Sequence, residues 1–294
     1  MASTASPLLP RLVSSCVAVA NNAGKIIRDI LKQGDLQIVQ KEHAKDLQTE
    51  ADRAAQRYIV SSLAAHFPKA TLIGEEEESG SGEVTDLTSV EQLTIACPEH
   101  LSNLSEEEVV LWIDPVDGTS EYTQAFECMS GRHGASCPRV SVLEHRTVSC
   151  TSLLDHVTVL IGIAAQGKAV AGVVHQPYFN YQTPGAELGR TVWGVVGPLA
   201  IGGGAGHKVL LLLDGHAHAY VFASPGCKKW DTCAPEAVLV AAGGALTDIR
   251  GDLIPYHKDV DRRNSTGVLA TAPGECHQTY LNKIPDAVKN NLKK

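Results

Sequence analysis

Val109-Val-Leu-Trp-Ile-Asp-Pro-Val-Asp-Gly-Thr-Ser120 is the stretch from which the fold is predicted. Its first five residues are apolar and predict a buried central strand, and the acidic residues begin where that strand ends. Asp114 and Asp117 then belong to a tight turn. Pro115 fixes the backbone angle φ in this turn, and Gly118 permits another part of the chain to approach closely. The stretch therefore delivers two carboxylates at the end of a core strand.

The residues after this turn leave two interpretations of it. If Thr119 and Ser120 open a helix, its free N–H groups form an anion site beside the carboxylates. An Asp-x-x-Asp segment is equally typical of a solvated turn with a helix cap. Glu75, at the end of a predicted strand, and Trp230-Asp231 add two acidic positions and favour the functional interpretation. Carboxylates from separate strand ends suit a hard cation such as Mg²⁺, which prefers oxygen ligands.

The composition is that of a globular protein with an acidic balance. The chain has 294 residues, of which 44% are hydrophobic, and a formal net charge of −8. This length is enough for a substantial core in one large domain or two lobes. The negative charge argues against a surface for nucleic acid, so an anionic small substrate would need local positive charge or a metal.

Cysteine spacing and hydropathy predict a cytoplasmic protein. The eight cysteines form no C-x-x-C pair and no dense disulfide framework, so we expect reduced thiols. The apolar stretch at residues 12–20 lacks a basic leader and continues into a helical pattern, which argues against a signal peptide. The sequence has no run of about 18 apolar residues, so we expect no membrane span.

Periodicity and turn residues predict a mixture of helices and strands. A helix over 10–32 closes at Gly34, and a second begins at Thr49, where Asp52 completes a capping box, and runs to His66. Further helices are predicted over 231–242 and 285–292. Strands are predicted over 70–73, 109–113, 157–164, 169–175, 191–195, 217–222, 246–249 and 266–270. The chain is therefore mixed α and β, and it shows no internal repeat.

Four short motifs together resemble those of a known superfamily. They are Asp46-x-x-Thr49-x-x-Asp52, Gly74-Glu75-Glu76, Trp112-x-Asp114-Pro-x-Asp117-Gly-Thr119 and Trp230-Asp231. Their joint occurrence is similar to the lithium-sensitive, magnesium-dependent inositol monophosphatase superfamily, and in particular to its bisphosphate nucleotidases. The similarity covers residues 45–77, 110–123, 156–193 and 219–272. It implies a layered α/β/α/β/α sugar-phosphatase fold, with an N-terminal α+β lobe over 1–175 and a C-terminal α/β lobe over 176–294.

The resemblance also implies a role for each site residue. The ligands that it implies for Mg²⁺ are Glu75, Asp114, Asp117, Asp231 and the carbonyl oxygen of Val116. Asp52 and Thr119 would activate the attacking water, although on its residues alone Asp52 is only a capping-box acid. The implied substrate contacts are Gly118, Thr119, Ser120, Gly204 and Lys208.

The activity implied by the resemblance is a magnesium-dependent phosphatase reaction. It removes the 3′-phosphate of adenosine 3′,5′-bisphosphate, giving AMP and phosphate, and extends to 3′-phosphoadenylyl sulfate and some inositol bisphosphates. The expected protein is a monomer that binds a small molecule and neither nucleic acid nor a membrane. An inositol polyphosphate 1-phosphatase-like enzyme is an alternative that stays open.

Two discontinuities interrupt the resemblance. Residues 126–152 form an extra segment that contains three of the eight cysteines. Between Gly197 and Gly203 the chain lacks a strand, a substrate-binding loop and a helix that the superfamily has. A loss of this kind exposes sheet edges and apolar surface. The hypothesis is a splice-like variant, and a catalytically impaired protein is therefore a second alternative.

Three smaller predictions concern charged and metal-binding side chains. Glu76 to Glu78 are expected to be solvated, because a run of charges is usually a surface feature. Lys228 and Lys229 face either a phosphate or solvent. No zinc site is expected from five residues whose spacing fits no standard finger: Cys128, His133, Cys137, His145 and Cys150.

Overall fold

The computed structural model describes residues 7–41, 46–76, 82–130, 150–197, 200–202 and 207–292. Its helices are α1 Leu8–Gln33, α2 Glu50–His66, α3 Thr119–Met129, α4 His207–Leu213, α5 Trp230–Ala241, α6 His277–Lys283 and α7 Asp286–Asn291. Its strands are β1 Val39–Gln40, β2 Leu47–Gln48, β3 Thr71–Gly74, β4 Val109–Asp117, β5 Thr158–Ala165, β6 Lys168–Gln176, β7 Arg190–Val195, β8 Ala200–Gly202, β9 Ala219–Phe222, β10 Cys227–Lys228, β11 Ala245–Thr247, β12 Arg263–Asn264 and β13 Val268–Thr271.

Two sheets and three helical layers stack in alternation. The large sheet has six strands in the order β3-β4-β5-β6-β7-β8, of which β3 and β4 are parallel and the other neighbours antiparallel. A second sheet has the order β11-β13-β9 and is antiparallel. Two small pairs, β1 with β2 and β10 with β12, stand outside these sheets.

Three apolar clusters hold the layers together. The first joins α1 and α2 to one face of the large sheet, through residues such as Leu12, Ile59 and Leu111. The second fills the space between the two sheets around α4 and α5, and the third packs α6 and the chain near Leu292 against the far face of the small sheet. This order confirms the predicted α/β/α/β/α layering.

The ends of the first two helices follow the predicted signals. Helix α1 stops at Gly34, whose φ of 79° is left-handed and whose N–H donates to the carbonyl of Ile30. Helix α2 begins with the predicted capping box, in which Thr49 and Asp52 satisfy each other's backbone N–H groups. None of the helices in the described ranges is long and apolar enough to cross a membrane.

Strand β4 is an inner strand of the large sheet and runs beyond its predicted end at Ile113 to Asp117. The acidic turn is therefore not a separate turn after the strand but a register shift within it, between Asp114 and Asp117. Eight of the nine residues of β4 are buried, and the Trp112 indole donates to the carbonyl of Tyr256 at 3.0 Å. Because β3 runs parallel to β4, with Gly74 opposite Ile113, the next residue along each segment lies at the same end of the strand pair. Glu75 and Asp114 are therefore brought together by strand register.

A row of glycines lets α5 lie close to the large sheet. Gly162, Gly172 and Gly194 are direct neighbours on β5, β6 and β7. A Cβ atom on Gly172 would lie 2.5 Å from the carbonyl oxygen of Ala234, and the other two glycines also face α5. The row therefore sets the distance between the sheet and the helix whose first turn carries Asp231.

The region after β7 differs from the sequence prediction. Strand β8 pairs with β7 as the edge of the large sheet, and α4 follows, where neither element was predicted. Strand β9 forms an edge of the small sheet, and its Val221 is 46% exposed, as expected if a neighbouring strand is missing. Helix α6 was also not predicted. The division into lobes at residue 175 stays a prediction.

A buried carboxyl on α5 gives a pH-dependent stability. Glu236 is 9% exposed, and burial raises its pKa from 4.5 to about 7, against the hydrogen bond from the Tyr256 hydroxyl and the charge of Lys229. A raised pKa means that the folded state holds the proton longer than the unfolded state. Stability therefore falls as the pH rises from about 4.5 to about 7, by roughly 3 kcal/mol in total.

Glu236→Gln is expected to remove this contribution. Glutamine keeps an acceptor for Tyr256 and does not ionise, so urea unfolding should show the variant gaining stability over the wild type between pH 5 and pH 8. If the free energy of unfolding differs between the variant and the wild type by the same amount at pH 5 and at pH 8, the pH dependence is not due to Glu236.

Candidate active site

The acidic turn opens into a pocket of about 350 Å³. Nine of the residues predicted for the site line it: Glu75, Asp114, Val116, Asp117, Gly118, Thr119, Ser120, Lys208 and Asp231. Asp52 lies beneath the pocket wall and reaches it through Thr119. Gly204 lies outside the described residues. The structure thus brings together the predicted side chains that it describes.

Asp114 is the most deeply buried of the pocket carboxylates. It is 2% exposed, and its Oδ1 accepts the N–H of Val116 at 3.1 Å. Burial raises the pKa of Asp114 well above its ordinary value, and the charges of Glu75, Asp117 and Asp231 raise it further. An ionised Asp114 therefore lowers the free energy of unfolding.

Asp117 and Asp231 reach the same pocket from β4 and α5. Burial raises the pKa of Asp117, whereas Lys208 and a hydrogen bond from Thr158 lower it. Burial also raises the pKa of Asp231, to about 7, with Asp117 and Glu75 acting in the same direction. Carboxylates that repel one another in a buried pocket are stable together only when a cation or protons neutralise them.

These donors fit a hard divalent cation in their chemistry. Carboxylate and carbonyl oxygens from β3, β4 and α5 are the ligand types that Mg²⁺ takes. Within the described ranges, however, no three acidic, His or Cys side chains already stand in a coordinating arrangement. The carboxylates are therefore grouped around one pocket by the fold, and side-chain rotations would have to bring them onto an ion.

Glu75 is paired with a lysine from the segment that follows β1. The Lys41 ammonium lies 2.8 Å from Glu75 Oε1 and 2.8 Å from Glu76 Oε1. The prediction that Glu76 is solvated is wrong, because this side chain is 7% exposed and is also hydrogen-bonded by Gln48. Burial lowers the pKa of Lys41, but the two carboxylates outweigh it and keep that pKa above its usual value.

Asp52 connects the capping box of α2 to the acidic turn. Its Oδ2 accepts the N–H and the hydroxyl of Thr49, and its Oδ1 lies 3.0 Å from the hydroxyl of Thr119. That hydroxyl also lies 2.8 Å from the carbonyl oxygen of Val116. Burial raises the pKa of Asp52 to about 7, partly against the bonds from Thr49. The arrangement can hold the Thr119 hydroxyl in one orientation and accept a proton.

The start of α3 forms the floor of the pocket. Gly118 has a φ of 92°, which is left-handed, and a Cβ there would lie 3.2 Å from the carbonyl oxygen of His156. Glycine is therefore favoured at this position for two reasons, the left-handed backbone angle and the limited space for a side chain. The turn directs the first residues of α3, Thr119 and Ser120, into the pocket, as predicted for a helix opening.

Another part of the pocket wall contains residues that the sequence motifs did not single out. His156 and His207 line it, and so do Tyr220 and Phe222, whose rings stack with centroids 6.5 Å apart. The Lys208 ammonium lies 5.4 Å from the centre of the Tyr220 ring. No motif signals these side chains, because they come from a 3₁₀ turn, a short helix and an edge strand that only the fold brings together.

The remaining predicted polar residues have other partners or are not described. Lys229 is buried and donates to the Asn264 side chain at 2.8 Å, and the Lys228 ammonium lies 5.6 Å from the ring centre of Trp230. Of the five residues considered for zinc, His133, Cys137 and His145 lie outside the described residues, as does most of the extra segment. The absence of a zinc site therefore stays a prediction.

Both the sequence and the fold are similar to those of known proteins. The Inositol monophosphatase family model matches residues 10–201 and 198–289. The human protein named 3′(2′),5′-bisphosphate nucleotidase 1 is 44% identical over 333 positions, which cover 98% of this chain and 99% of that protein. A bovine protein named Golgi-resident adenosine 3′,5′-bisphosphate 3′-phosphatase is 27% identical, with 97% of this chain and 82% of that protein covered. The IMPase of Thermotoga maritima has the same fold, with a TM-score of 0.58 at 17% identity, and the match covers 94% of this chain and 97% of that one.

The alignment with the human protein also bears on the predicted loss. It spans 333 positions, 39 more than the 294 residues of this chain, so at least 39 positions have no counterpart here. The family match is in two parts that meet at residues 198–201, inside the interval where the loss is predicted. The first observation shows that positions are missing from this chain, and the second supports a deletion at residues 198–201.

Proposed function

Because the chain belongs to the inositol monophosphatase family, we propose that it is a metal-dependent phosphatase that removes the 3′-phosphate of adenosine 3′,5′-bisphosphate. The products would be AMP and phosphate. The observation that carries this proposal is the grouping of Glu75, Asp114, Asp117 and Asp231 around one pocket. Identity of 44% to the human nucleotidase, over almost the whole of both chains, supports the choice of substrate.

Mg²⁺ is the ion that suits this set of oxygen donors. The four carboxylates and the carbonyl oxygen of Val116 would hold it. When bound, the ion supplies positive charge that makes an attacking water more acidic and stabilises the phosphoryl oxygens. Inhibition by Li⁺ and hydrolysis of 3′-phosphoadenylyl sulfate belong to the same proposal.

Asp52 and Thr119 are proposed to prepare the attacking water. With Asp52 ionised, the Thr119 hydroxyl donates its single proton to Oδ1, 3.0 Å away. The lone pairs of that hydroxyl then remain to accept from a water and so orient it. The capping bonds from Thr49 fix the Asp52 carboxylate, which in turn fixes Thr119. Gly118, Ser120 and Lys208 are proposed to contact the substrate, and so is Gly204.

The proposal is tested by measuring phosphate release from adenosine 3′,5′-bisphosphate with Mg²⁺ and with EDTA. We expect release only with Mg²⁺. Thr119→Val should lower kcat by about 10²-fold or more, because it removes the hydroxyl but keeps the shape, whereas Thr119→Ser should retain most of the activity. Release that persists in EDTA, or a valine variant as active as the serine variant, would refute the proposed roles.

A catalytically impaired protein is a second candidate, which the missing positions near residue 198 favour. Thermal unfolding separates the two, since a ligand that binds only the folded state raises its stability. An active site that forms should be stabilised by Mg²⁺ with AMP, and an impaired one should not. Comparison of phosphate release from inositol 1,4-bisphosphate tests the remaining alternative, an inositol polyphosphate 1-phosphatase.

We propose the cytoplasm as the location and a monomer as the working unit. Five of the described cysteines, Cys16, Cys97, Cys227, Cys233 and Cys276, are thiols outside any disulfide, which fits a reducing compartment. Cell fractionation decides the location, because recovery with Golgi membranes would place this chain with the bovine relative instead. Light scattering after size-exclusion chromatography measures the mass directly.

A further inference from the structure

Two histidines form a stacked pair at the pocket wall. The ring centroids of His156 and His207 are 3.9 Å apart, and the ring planes are inclined by 22°. His156 ends the 3₁₀ turn Cys150–His156, and His207 is the first residue of α4. The two imidazoles are thus held against each other by elements that are distant in sequence.

The pair lies in the pocket wall beside Lys208. Among the described lining residues, the basic side chains are His156, His207 and Lys208. Lys208 also acts on Asp117, one of the groups proposed to hold Mg²⁺, and Glu121 acts on His156, so the basic side chains adjoin the acidic ones. A nucleoside bisphosphate carries two phosphates, and only one of them can lie at the metal end. The other needs donors of positive charge or hydrogen bonds, since a phosphate monoester has close to two negative charges at pH 7.

We propose that the stacked imidazoles of His156 and His207, together with Lys208, bind the phosphate that is not hydrolysed and take up a proton when they do so. This inference rests on the proposed function for the identity of the substrate, whose second phosphate is the 5′-phosphate. It assigns to the two histidines a role in distinguishing bisphosphates from monophosphates.

Burial, helped by neighbouring positive charges, favours the neutral form of the pair before the ligand binds. Burial lowers the pKa of His207 to about 4, and His156, Lys208 and Arg190 lower it further. Burial also lowers the pKa of His156, partly opposed by the acidic groups of Glu121 and Asp155. At pH 7 the imidazoles can donate hydrogen bonds but carry no charge.

A phosphate dianion beside the rings shifts the protonation equilibrium of the imidazoles in the opposite direction. It favours the protonated imidazole, so the pKa in the complex lies above that in the free protein. The complex then holds more protons, and affinity for the anion rises as the pH falls towards the pKa of the free pair. Two imidazolium rings 3.9 Å apart repel each other, so we expect one proton to be shared by the pair.

The test uses AMP, which carries the 5′-phosphate and lacks the group that is hydrolysed. The protein is titrated calorimetrically with AMP at pH 7.5 in the presence of Mg²⁺, in two buffers of different ionisation enthalpy. The difference between the two binding enthalpies gives the number of protons taken up with each AMP. We expect an uptake approaching one proton per AMP and none with adenosine. In His156→Asn/His207→Asn the uptake should vanish and binding at pH 7 should weaken by about tenfold, while the thermal midpoint stays close to that of the wild type.

Other outcomes would overturn the inference. They are AMP binding without proton uptake, an unchanged affinity in the double variant, or the same uptake with inorganic phosphate alone, which would indicate a general anion site. The single variants His156→Asn and His207→Asn keep the test valid if the double variant does not fold. Because AMP binding needs no turnover, an inactive protein that binds AMP with proton uptake would refute the proposed function and leave this inference standing.

Discussion

Asp114→Asn is expected to lower phosphate release from adenosine 3′,5′-bisphosphate by at least about 10³-fold at saturating Mg²⁺. An ion at this site would contribute several kcal/mol to the transition state, and each 1.36 kcal/mol corresponds to a factor of ten in rate. Asp114 is the most buried of the grouped carboxylates, so its charge is central to holding a cation. The measurement is kcat over a range of Mg²⁺ concentrations.

The same substitution should not destabilise the protein in the absence of metal. The pKa of Asp114 is raised by burial and by four neighbouring carboxylates, so its charge at neutral pH opposes folding. Asparagine removes that charge and keeps the acceptor for the Val116 N–H. Thermal unfolding in EDTA should therefore give a midpoint equal to or above that of the wild type.

Asp86→Asn is the matched control, because it makes the same chemical change at an exposed turn outside the pocket. It should leave kcat and its dependence on Mg²⁺ unchanged. An Asp114→Asn variant that keeps more than a tenth of the wild-type rate would exclude this carboxylate as a principal ligand.

Gly172→Ala is expected to destabilise the fold by about 3 kcal/mol, at the upper end of the usual cost of overpacking. The added Cβ would lie 2.5 Å from the carbonyl oxygen and 2.8 Å from the Cα of Ala234. Both are backbone atoms of α5, so relief requires the whole helix to move away from the sheet. Such a movement would also displace Asp231, and phosphate release should fall together with stability.

Gly226→Ala is the control for this prediction. A Cβ at that position would first meet the Phe222 ring at 3.7 Å, an ordinary contact distance. Denaturant unfolding of both variants should therefore give a large loss for Gly172→Ala and a change within about 0.5 kcal/mol for Gly226→Ala. Equal losses of stability in the two variants would show that the glycine row does not determine how closely α5 packs on the sheet.

The features that sequence reasoning predicted are those fixed by local chemistry. The apolar run before Asp114 predicts β4, Thr49 with Asp52 predicts the cap of α2, and Gly34 predicts the end of α1. Each signal lies within a few residues of the structure that it specifies. Four carboxylates of the pocket were also predicted, because Glu75 follows a predicted strand, Asp114 and Asp117 follow an apolar run, and Asp231 opens a predicted helix.

The features that were missed depend on contacts between distant segments. Glu76 belongs to a run of charges, and only the return of the chain at Lys41 and Gln48 makes it a buried ion pair. His156 and His207 are 51 positions apart, and no spacing rule connects them. Elements β8 and α4 lie in and just after the interval 197–203, where the resemblance breaks off and periodicity offers no pattern to extend.

The glycine row has a further consequence in the unfolded chain. Glycine loses more conformational entropy on folding than any other residue, so ordering Gly162, Gly172 and Gly194 carries a cost that other residues would reduce. Replacing glycine by alanine commonly stabilises proteins by about 0.4–1 kcal/mol through this effect. Here α5 occupies the space that each methyl group would need. Attempts to make this protein more heat-resistant must therefore begin elsewhere, because the close helix that carries Asp231 is incompatible with a less flexible residue in the row.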